Sequence, residues 1–376
     1  MKGRMALGGV LLLWLSSAHA DAQLQEFLAQ ALGEARARAA LPAVAALVQV
    51  NGHIEAESAT GIRDVARPRK VTLDDNWHIG SDTKAMTATL IARLVERGSL
   101  SFDDTLPKIF PGLAPYMNAA YRDVTVAQVL SHTAGLPRLD AAAELANLSV
   151  VFSTQQGLRA QRAAVAAYYL RQPPASKAGE YAYSNLGYII AGAIAESYSE
   201  KTWEDLLRAE VWKPLGITSA GFGPPGKVRR SEQPLGHDLA NGKLVALAPT
   251  GAASDIPPAV GPAGSVNISL HDWLLFAQDQ LDGLHGHGKL LKPATYLRLQ
   301  TPVSRNYAMG WGVLTKDGAI SLLSHTGSNG YWVANIRVMP KHDTIFLVVT
   351  NAGGERAEQA IRDIGTMLTD RLKPFD

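Results

Sequence analysis

Segments typical of β-strands lie near the two ends of this chain, and the region between them has helical character. Residues 44–50 are rich in strand-forming residues and lead into Asn51-Gly52, a strong hairpin signal, before residues 54–60 return as the partner strand. Four further strands are predicted at 309–314, 320–324, 332–339 and 344–350. The sequence therefore predicts an α/β fold in which strands from both ends share one antiparallel sheet flanked by helices, with an inserted, mostly helical subdomain.

The positions of the helical segments divide the chain into an α/β part and a helical part. The α/β part is assigned to about residues 21–80 and 300–376, and the helical part to about residues 81–299. The helix predicted over 81–97 is apolar nearly all round, which is typical of a helix inside a large protein. Irregular loops are predicted over 221–265, because Gly and Pro are frequent there. The other helices are predicted at 22–39, 124–131, 186–198 and 355–372.

The first twenty residues have the three-part layout of a secretory signal peptide. Lys2 and Arg4 precede an apolar run over 5–15, and small residues then end in Ala18-His19-Ala20. This run is shorter than the roughly 20 residues that a membrane-spanning helix needs, which argues against the alternative of an uncleaved anchor. We therefore predict cleavage after Ala20 and export of residues 21–376 to the periplasm or the medium, with no stable membrane insertion.

Charge and composition exclude several kinds of partner and cofactor. The chain has 36 Lys and Arg against 34 Asp and Glu, and two of the basic residues lie in the first twenty, so the remainder is formally neutral. A neutral body does not favour a phosphate-binding surface, and no nucleic-acid partner is expected. The absence of Cys excludes disulfides, thiolate metal sites and a Cys nucleophile. His271, His285 and His287 lack a recognised ligand spacing, so no metal and no cofactor is predicted.

Three short motifs carry residues suited to nucleophilic catalysis, and the first is Ser81-Asp82-Thr83-Lys84. The serine and the lysine are three residues apart and can share one helix face. Burial penalises the charged form of a lysine, and the neutral amine that results can act as the base for a serine. The alternative interpretation is a serine that caps the helix, followed by a solvated lysine one turn later.

The two other motifs could reach the same cleft. In Tyr183-Ser184-Asn185, residues two apart on an extended segment point the same way, so the phenol and the amide could act together. The alternative there is a loop in which Ser184 caps the next helix. His325-Thr326-Gly327 ends a predicted strand, where the glycine would let the backbone of a substrate approach closely. The alternative for this motif is a strand end that leads into the turn Gly327-Ser328-Asn329-Gly330.

Together these motifs resemble those of the penicillin-recognising serine hydrolases. The order Ser-x-x-Lys, Tyr-x-Asn and His-Thr-Gly is similar to the class C β-lactamase-like group, as are the segments Leu130–Leu136 and Met309–Gly312. That group includes class C β-lactamases, D-alanyl-D-alanine carboxypeptidases, D-aminopeptidases and β-lactamase-like esterases. The resemblance covers about residues 40–351. It implies a β-lactamase/transpeptidase-like fold, with one catalytic domain over residues 21–376.

The resemblance also implies a role for each motif residue. Ser81 would be the acylated nucleophile, and Lys84 and Tyr183 would share the proton transfers. The backbone N–H groups of Ser81 and Ser328 would form an oxyanion hole. The residues implied in binding a small-molecule or peptide substrate are Asn185, His325, Thr326, Gly327 and Ser328.

Position 325 departs from the β-lactamases of this group, most of which have Lys there. A neutral imidazole attracts a substrate carboxylate less than an ammonium does, so His325 is predicted to set the preference for substrate charge. The expected function is an exported serine hydrolase that acts through a Ser81 acyl-enzyme on a cell-wall-type peptide, a β-lactam or a small ester. Two alternatives stay open: a carboxylic-ester hydrolase with little β-lactamase activity, and a non-catalytic protein that binds peptidoglycan or penicillin. The sequence leaves the oligomeric state open.

Overall fold

The computed structural model describes most of the 376 residues. The described residues are 8–140, 144, 147–148, 150–151, 153–226, 233–240, 243–248 and 254–372, with side chains from residue 22 onward. Within these ranges no helix is both long enough and apolar enough to cross a membrane. Residues 1–7 of the predicted signal peptide lie outside the described part, and the first helix, α1 (Gly8–Arg38), begins just after them, so cleavage stays a prediction.

The strands in the described part of the chain form three antiparallel sheets. They are β1 (Ala43–Val50), β2 (His53–Gly61), β3 (Asn76–His78), β4 (Gly221–Phe222), β5 (His237–Ala240), β6 (Lys243–Ala246), β7 (Val266–Ser269), β8 (Gly312–Lys316), β9 (Ala319–Ser328), β10 (Val333–Met339) and β11 (Thr344–Thr350). The largest sheet has the order β2-β1-β11-β10-β9-β8, so the first strands of the chain pair with the last one. The smaller sheets are β3-β7-β4 and the hairpin β5-β6. These pairings confirm the antiparallel sheet that was predicted from strands at both ends.

Helices flank this six-stranded sheet. After α1 they are α2 (Thr83–Glu96), α3 (Leu106–Ile109), α4 (Val126–Leu130), α5 (Leu158–Tyr169), α6 (Asn185–Ser197), α7 (Trp203–Leu207), α8 (Lys213–Leu215), α9 (Gly261–Gly264), α10 (Leu270–Leu284), α11 (Pro293–Gln300) and α12 (Glu355–Leu372). Single turns of tighter helix occur at Gly80–Asp82, Ala114–Tyr116, Ala119–Tyr121, Pro258–Val260 and Pro340–His342, and a wider turn spans Arg208–Trp212. The predicted helices over 124–131, 186–198 and 355–372 are confirmed, with ends that differ by a few residues at most.

Both faces of the sheet are buried, which the last strand shows directly. In β11, Ile345 and Leu347 belong to the core shared with α2 and the other helices of the middle of the chain. Phe346 and Val348 belong to a second core, formed with α1 and α12. Because successive side chains of a strand point to opposite faces, a strand covered on both sides is apolar throughout. Helix α2 is buried almost all round, as its sequence predicts.

The structure corrects three predicted elements. The strand predicted at 320–324 continues to Ser328, because residues 325–328 pair with β10. The strand predicted at 309–314 begins only at Gly312, where pairing with β9 starts. The prediction of irregular loops over 221–265 is wrong for β4, β5, β6 and α9, whose backbone groups are paired in sheets or a helical turn. The division into an α/β part and a helical part stays a prediction; α10, from the presumed helical range, packs on β10 and β11.

Candidate active site

A tight turn between β3 and α2 holds Ser81. Gly80 has φ +50°, and the turn Gly80–Asp82 leads straight into the helix, which leaves Ser81 half-buried at its entrance. A Cβ at position 80 would lie 2.4 Å from the backbone nitrogen of Ser328. The turn therefore needs glycine for two reasons, namely its left-handed conformation and the closeness of the end of β9.

Lys84 is completely buried, and three oxygen atoms surround its amine. The Nζ atom lies 3.0 Å from Ser81 Oγ, 2.8 Å from Asn185 Oδ1 and 2.7 Å from the carbonyl oxygen of Ala263. The structure thus brings Ser81, Lys84 and Asn185 together. The alternative of a capping serine with a solvated lysine is wrong: Lys84 is 0% exposed, and the residue at the N-cap of α2 is Asp82.

The surroundings of Lys84 favour the neutral amine. Burial lowers the pKa of Lys84 well below its usual value; nearby Arg138 acts in the same direction, and Asp82 opposes them. The carbonyl of Ala263 can only accept a hydrogen bond. Asn185 Oδ1 can also only accept. The orientation of the Asn185 amide is fixed, because its nitrogen donates to the carbonyl of Leu139 at 3.2 Å. These two acceptors take both N–H groups of a neutral amine, which leaves the lone pair directed at the Ser81 hydroxyl.

Tyr183 completes this group from the segment that precedes α6. Its ring lies 4.9 Å from Lys84 Nζ, and its hydroxyl is near enough to Ser81 for that side chain to influence its pKa. Burial raises the pKa of Tyr183 well above its usual value, so the side chain is a neutral phenol at physiological pH. Ser184 caps α6 by accepting from the backbone N–H of Gly187 at 3.1 Å. The motif therefore combines both interpretations, because a capping serine separates two residues that face Ser81 and Lys84.

Gly327 allows a close backbone approach, but the approaching backbone is not that of a substrate. A Cβ at position 327 would lie 1.9 Å from the carbonyl oxygen of Ile79 and 2.7 Å from the nitrogen of Ser81. The glycine is therefore required by packing of β9 against the turn that holds Ser81. This corrects the reason given for Gly327 as a substrate-binding residue, and it places the backbone of Ser328 beside that of Ser81. Thr326 is exposed, and its hydroxyl accepts from Asn335 Nδ2 at 3.0 Å.

His325 is buried rather than presented to a substrate. Its side chain is 6% exposed, Nδ1 lies 3.4 Å from Asp82 Oδ1, and Nε2 lies 3.3 Å from the Tyr307 hydroxyl. Burial, reinforced by Lys84, lowers the pKa of His325 to about 3, so the imidazole is neutral. The prediction that His325 reads substrate charge needed a side chain open to the cleft, and the structure does not provide one.

The sequence motifs assign no role to several residues near the site. His132 is buried, has φ +60°, accepts from the Ser184 backbone N–H at 3.1 Å, and lies 4.3 Å from the Tyr183 ring. Its segment, Leu130–Leu136, enters the sequence analysis only as part of the resemblance.

Asp82 is also buried, and neither of its carboxyl oxygens has a hydrogen-bond partner among the described residues. In the part of the chain that the structure describes, no three or more His, Asp and Glu side chains lie together in a way that could hold a metal ion.

A comparison with known protein families agrees with this geometry. The model of the family described as Beta-lactamase matches residues 28–368, which is most of the chain. The chain belongs to the beta-lactamase family. Members of this family, which include penicillin-binding proteins and amidases, are serine hydrolases.

Individual relatives of this beta-lactamase family protein are distant. Penicillin-binding protein 4 of Amycolatopsis lactamdurans is 27% identical over 332 residues, covering 83% of this chain and 81% of the relative. Protein flp of Staphylococcus aureus (strain COL) is 22% identical over 337 residues, and the chain spans only 64% of its length. The structure of a D-amino acid amidase from Ochrobactrum anthropi SV3 superposes with a TM-score of 0.72 at 18% identity, covering 92% of this chain and 98% of the amidase. This likeness shows the β-lactamase-like fold.

Proposed function

We propose that this protein is an exported serine hydrolase that forms an acyl-enzyme at Ser81 with an amide or ester substrate. The observation that carries the proposal is the buried amine of Lys84, 3.0 Å from Ser81 Oγ, whose two other neighbours are both pure acceptors. A neutral lysine held in this way is a general base aimed at one hydroxyl. Export follows from the signal peptide predicted over residues 1–20.

In the acylation step, Oγ of Ser81 attacks the carbonyl carbon of the substrate while its proton passes to Lys84 Nζ. The carbonyl π electrons move to the oxygen, which the backbone N–H groups of Ser81 and Ser328 stabilise. When the tetrahedral intermediate collapses, the C–N or C–O bond of the substrate breaks. The leaving group takes a proton from Tyr183, which recovers one from Lys84.

Deacylation repeats the sequence with water as the nucleophile. Lys84, neutral again, accepts a proton from the attacking water by way of Tyr183. It then returns that proton to Ser81 Oγ as the ester bond breaks, which releases the acid and regenerates the free serine. Asn185 holds Lys84 through its carbonyl oxygen, and as a partly exposed residue it is the proposed contact for the substrate amide. Tyr183 acts as a phenol throughout, because burial holds its pKa far above the working range.

The substrate is proposed to be a peptide-like amide or a small ester, with β-lactams cleaved slowly. The names of two relatives, a penicillin-binding protein and a D-amino acid amidase, support the amide class. The burial of His325 favours the second candidate, a carboxylic-ester hydrolase with little β-lactamase activity, because no cation at this position meets a substrate carboxylate. A non-catalytic binding protein is disfavoured, since Ser81, Lys84 and Asn185 are hydrogen-bonded together.

A labelling experiment followed by a substrate panel tests the proposal. Purified protein is treated with a fluorophosphonate probe, and mass spectrometry should place the adduct on the peptide that contains Ser81. Turnover is then measured with p-nitrophenyl butyrate, nitrocefin and a D-Ala-D-Ala peptide. Hydrolysis of the ester or the peptide faster than nitrocefin is expected. Absence of both labelling and turnover would contradict the proposal and favour a binding protein.

Replacing Tyr183 with Phe is expected to lower the rate of acylation about 10- to 100-fold, since a hydrogen bond to a developing charge is worth about 1.5–3 kcal/mol. The phenyl ring keeps the contacts with His132 and Lys84, so the fold and the binding of substrate should change little. Single-turnover kinetics with the D-Ala-D-Ala peptide measure the acylation rate, because its amine leaving group needs the proton that Tyr183 supplies. An unchanged rate in Tyr183→Phe would exclude the phenol from proton transfer.

Replacing His325 with Lys is expected to leave the substrate preference unchanged. The new ammonium would lie in a buried position beside the carboxyl group of Asp82. The measurement is the ratio of kcat/KM for nitrocefin to that for p-nitrophenyl butyrate, in wild type and variant. A ratio that rises clearly in His325→Lys would show that position 325 does reach the substrate, as the sequence comparison with β-lactamases first indicated.

A further inference from the structure

A bridge of side chains connects the segments on either side of the proposed oxyanion hole. It begins at His78, a fully buried residue at the end of β3. Its Nδ1 accepts from the backbone N–H of Gly80 at 3.2 Å, so in the neutral ring the proton is on Nε2. Nε2 lies 3.2 Å from Oδ1 of Asp255. The imidazole therefore connects the turn that holds Ser81 to a carboxylate from a distant part of the chain.

The same carboxylate also binds the segment that follows Ser328. Oδ1 of Asp255 accepts from Nδ2 of Asn329 at 2.8 Å. The orientation of the Asn329 amide is fixed, because its oxygen accepts from the backbone N–H of Tyr331 at 3.1 Å. Asp255 thus contacts both segments. His78 precedes Gly80 by two residues, and Asn329 directly follows Ser328.

The two segments are in direct backbone contact between these side chains. The closest approaches are those at Gly80 and Gly327, where a Cβ would lie within 3 Å of the backbone of the facing segment. Backbone contact of this kind has no side chains to interlock, so a small sliding of β9 along the turn would separate the two N–H groups. The contact of Asp255 with His78 and its hydrogen bond from Asn329 tie the two segments together and would oppose such sliding.

We propose that Asp255 is a positioning residue that holds the N–H groups of Ser81 and Ser328 at the spacing needed to bind the oxyanion. The inference rests on the proposed function and adds a residue that no catalytic motif contains. Asp255 touches neither Ser81 nor the presumed substrate strand, and it acts through His78 and Asn329. Burial alone would raise the pKa of Asp255, but His78, Asn329 and the backbone of Ile256 together lower it, so a carboxylate faces both partners at physiological pH.

The test compares Asp255→Ala and Asp255→Asn with a matched control. Asp255→Ala removes the bridge and should lower kcat about 10- to 100-fold with little change in KM, because a displaced oxyanion donor affects the transition state more than the ground state. Asp255→Asn keeps an oxygen acceptor of the same shape and should restore part of the loss. The affinity for a phenylboronic acid, whose adduct with Ser81 is tetrahedral, should fall in parallel with kcat.

Asp279→Asn is the control. This carboxylate is also buried and accepts from the Tyr296 hydroxyl at 2.6 Å and from the backbone of Lys289 at 2.8 Å, in a separate part of the fold. It should lower the Tm without lowering kcat or boronic acid affinity. If Asp255→Ala fails to fold, Asn329→Ala decides the question, because it removes one end of the bridge. Unchanged kcat and boronic acid affinity in a folded Asp255→Ala or Asn329→Ala protein, or an equal loss in Asp279→Asn, would overturn the inference.

The outcomes separate this inference from the proposed function. If the wild-type protein is not acylated at Ser81, the proposed function fails, and the boronic acid will not distinguish the variants. If the wild type is acylated and the Asp255 variants match it in kcat, only the role of Asp255 fails. An Asn329→Ala substitution adds a third measurement. Its effect on kcat should be much smaller in the Asp255→Ala background than in wild type, because both residues act through one bridge.

Discussion

Replacing Ser81 with Ala is expected to abolish labelling by a fluorophosphonate and to lower kcat about 10⁴-fold or more, the order of loss found when a serine nucleophile is removed. The fold should be kept, because Ser81 is half-buried and the hydrogen-bond partner of its hydroxyl, Lys84, belongs to the site itself. Lys84 would retain both of its carbonyl acceptors in the variant. Intact-protein mass spectrometry reports the label, and circular dichroism reports the fold.

Ser328→Ala provides the matched control for Ser81→Ala. The proposed role of Ser328 uses its backbone N–H, which alanine keeps, while the Ser328 hydroxyl only accepts from the Gly330 backbone at 3.0 Å. This variant should therefore be labelled at Ser81 and turn over substrate at close to the wild-type rate. A Ser81→Ala protein that still forms a stoichiometric adduct, or a wild-type adduct on another serine, would contradict the assignment.

The sequence was a good guide to what lies within a few residues along the chain. Ser81 and Lys84 share a helix face because they are three residues apart, and an apolar helix around them implies a buried amine. The spacing in Tyr183-Ser184-Asn185 likewise places two side chains on the same side of a capping residue. Strands at both ends of the chain were recognisable, because a sheet covered on both faces needs continuous apolar runs.

The environment of each side chain could not be predicted in the same way. Whether His325 faces a substrate or Asp82 depends on how β9 packs against the turn at Ser81, which is a contact between distant segments. The sequence predicts a close approach at Gly327, but nothing local shows which backbone approaches. Asp255 lies in a Gly- and Pro-rich region without a motif, and only the folded chain places it between His78 and Asn329.

Lys84 is the residue whose chemistry depends most on the fold. In an unfolded chain its amine would have an ordinary pKa, and burial in the folded protein lowers that pKa. At a pH between the folded and the unfolded pKa of Lys84, the unfolded chain holds a proton that the folded protein lacks. The free energy of unfolding of the wild type therefore rises with pH over this window, since stability increases wherever the unfolded state binds more protons. The same lowering of the Lys84 pKa supplies the neutral amine that acts as the base.

Replacing Lys84 with Met is accordingly expected to change two properties at once. Turnover should fall about 10²- to 10⁴-fold, the usual contribution of a general base, while the side-chain volume is nearly kept. The pH dependence of stability should also change. Between neutral pH and about pH 10, the Tm of the wild type should rise relative to that of Lys84→Met, because only the wild type gains from deprotonation of the unfolded chain. Thermal unfolding at a series of pH values measures this difference, and steady-state kinetics measures turnover.

Lys108→Met is the control that separates these effects from the loss of any lysine. The pKa of Lys108 is raised by its hydrogen bond to Asp104, and the amine is exposed. Because its folded pKa lies above the unfolded value, both states keep the proton below about pH 10, and its contribution to stability should not vary over that range. Lys108→Met should retain full turnover. A Lys84→Met protein that keeps most of its activity, or whose Tm follows that of the wild type at every pH, would show that Lys84 is neither the base nor held neutral by the fold.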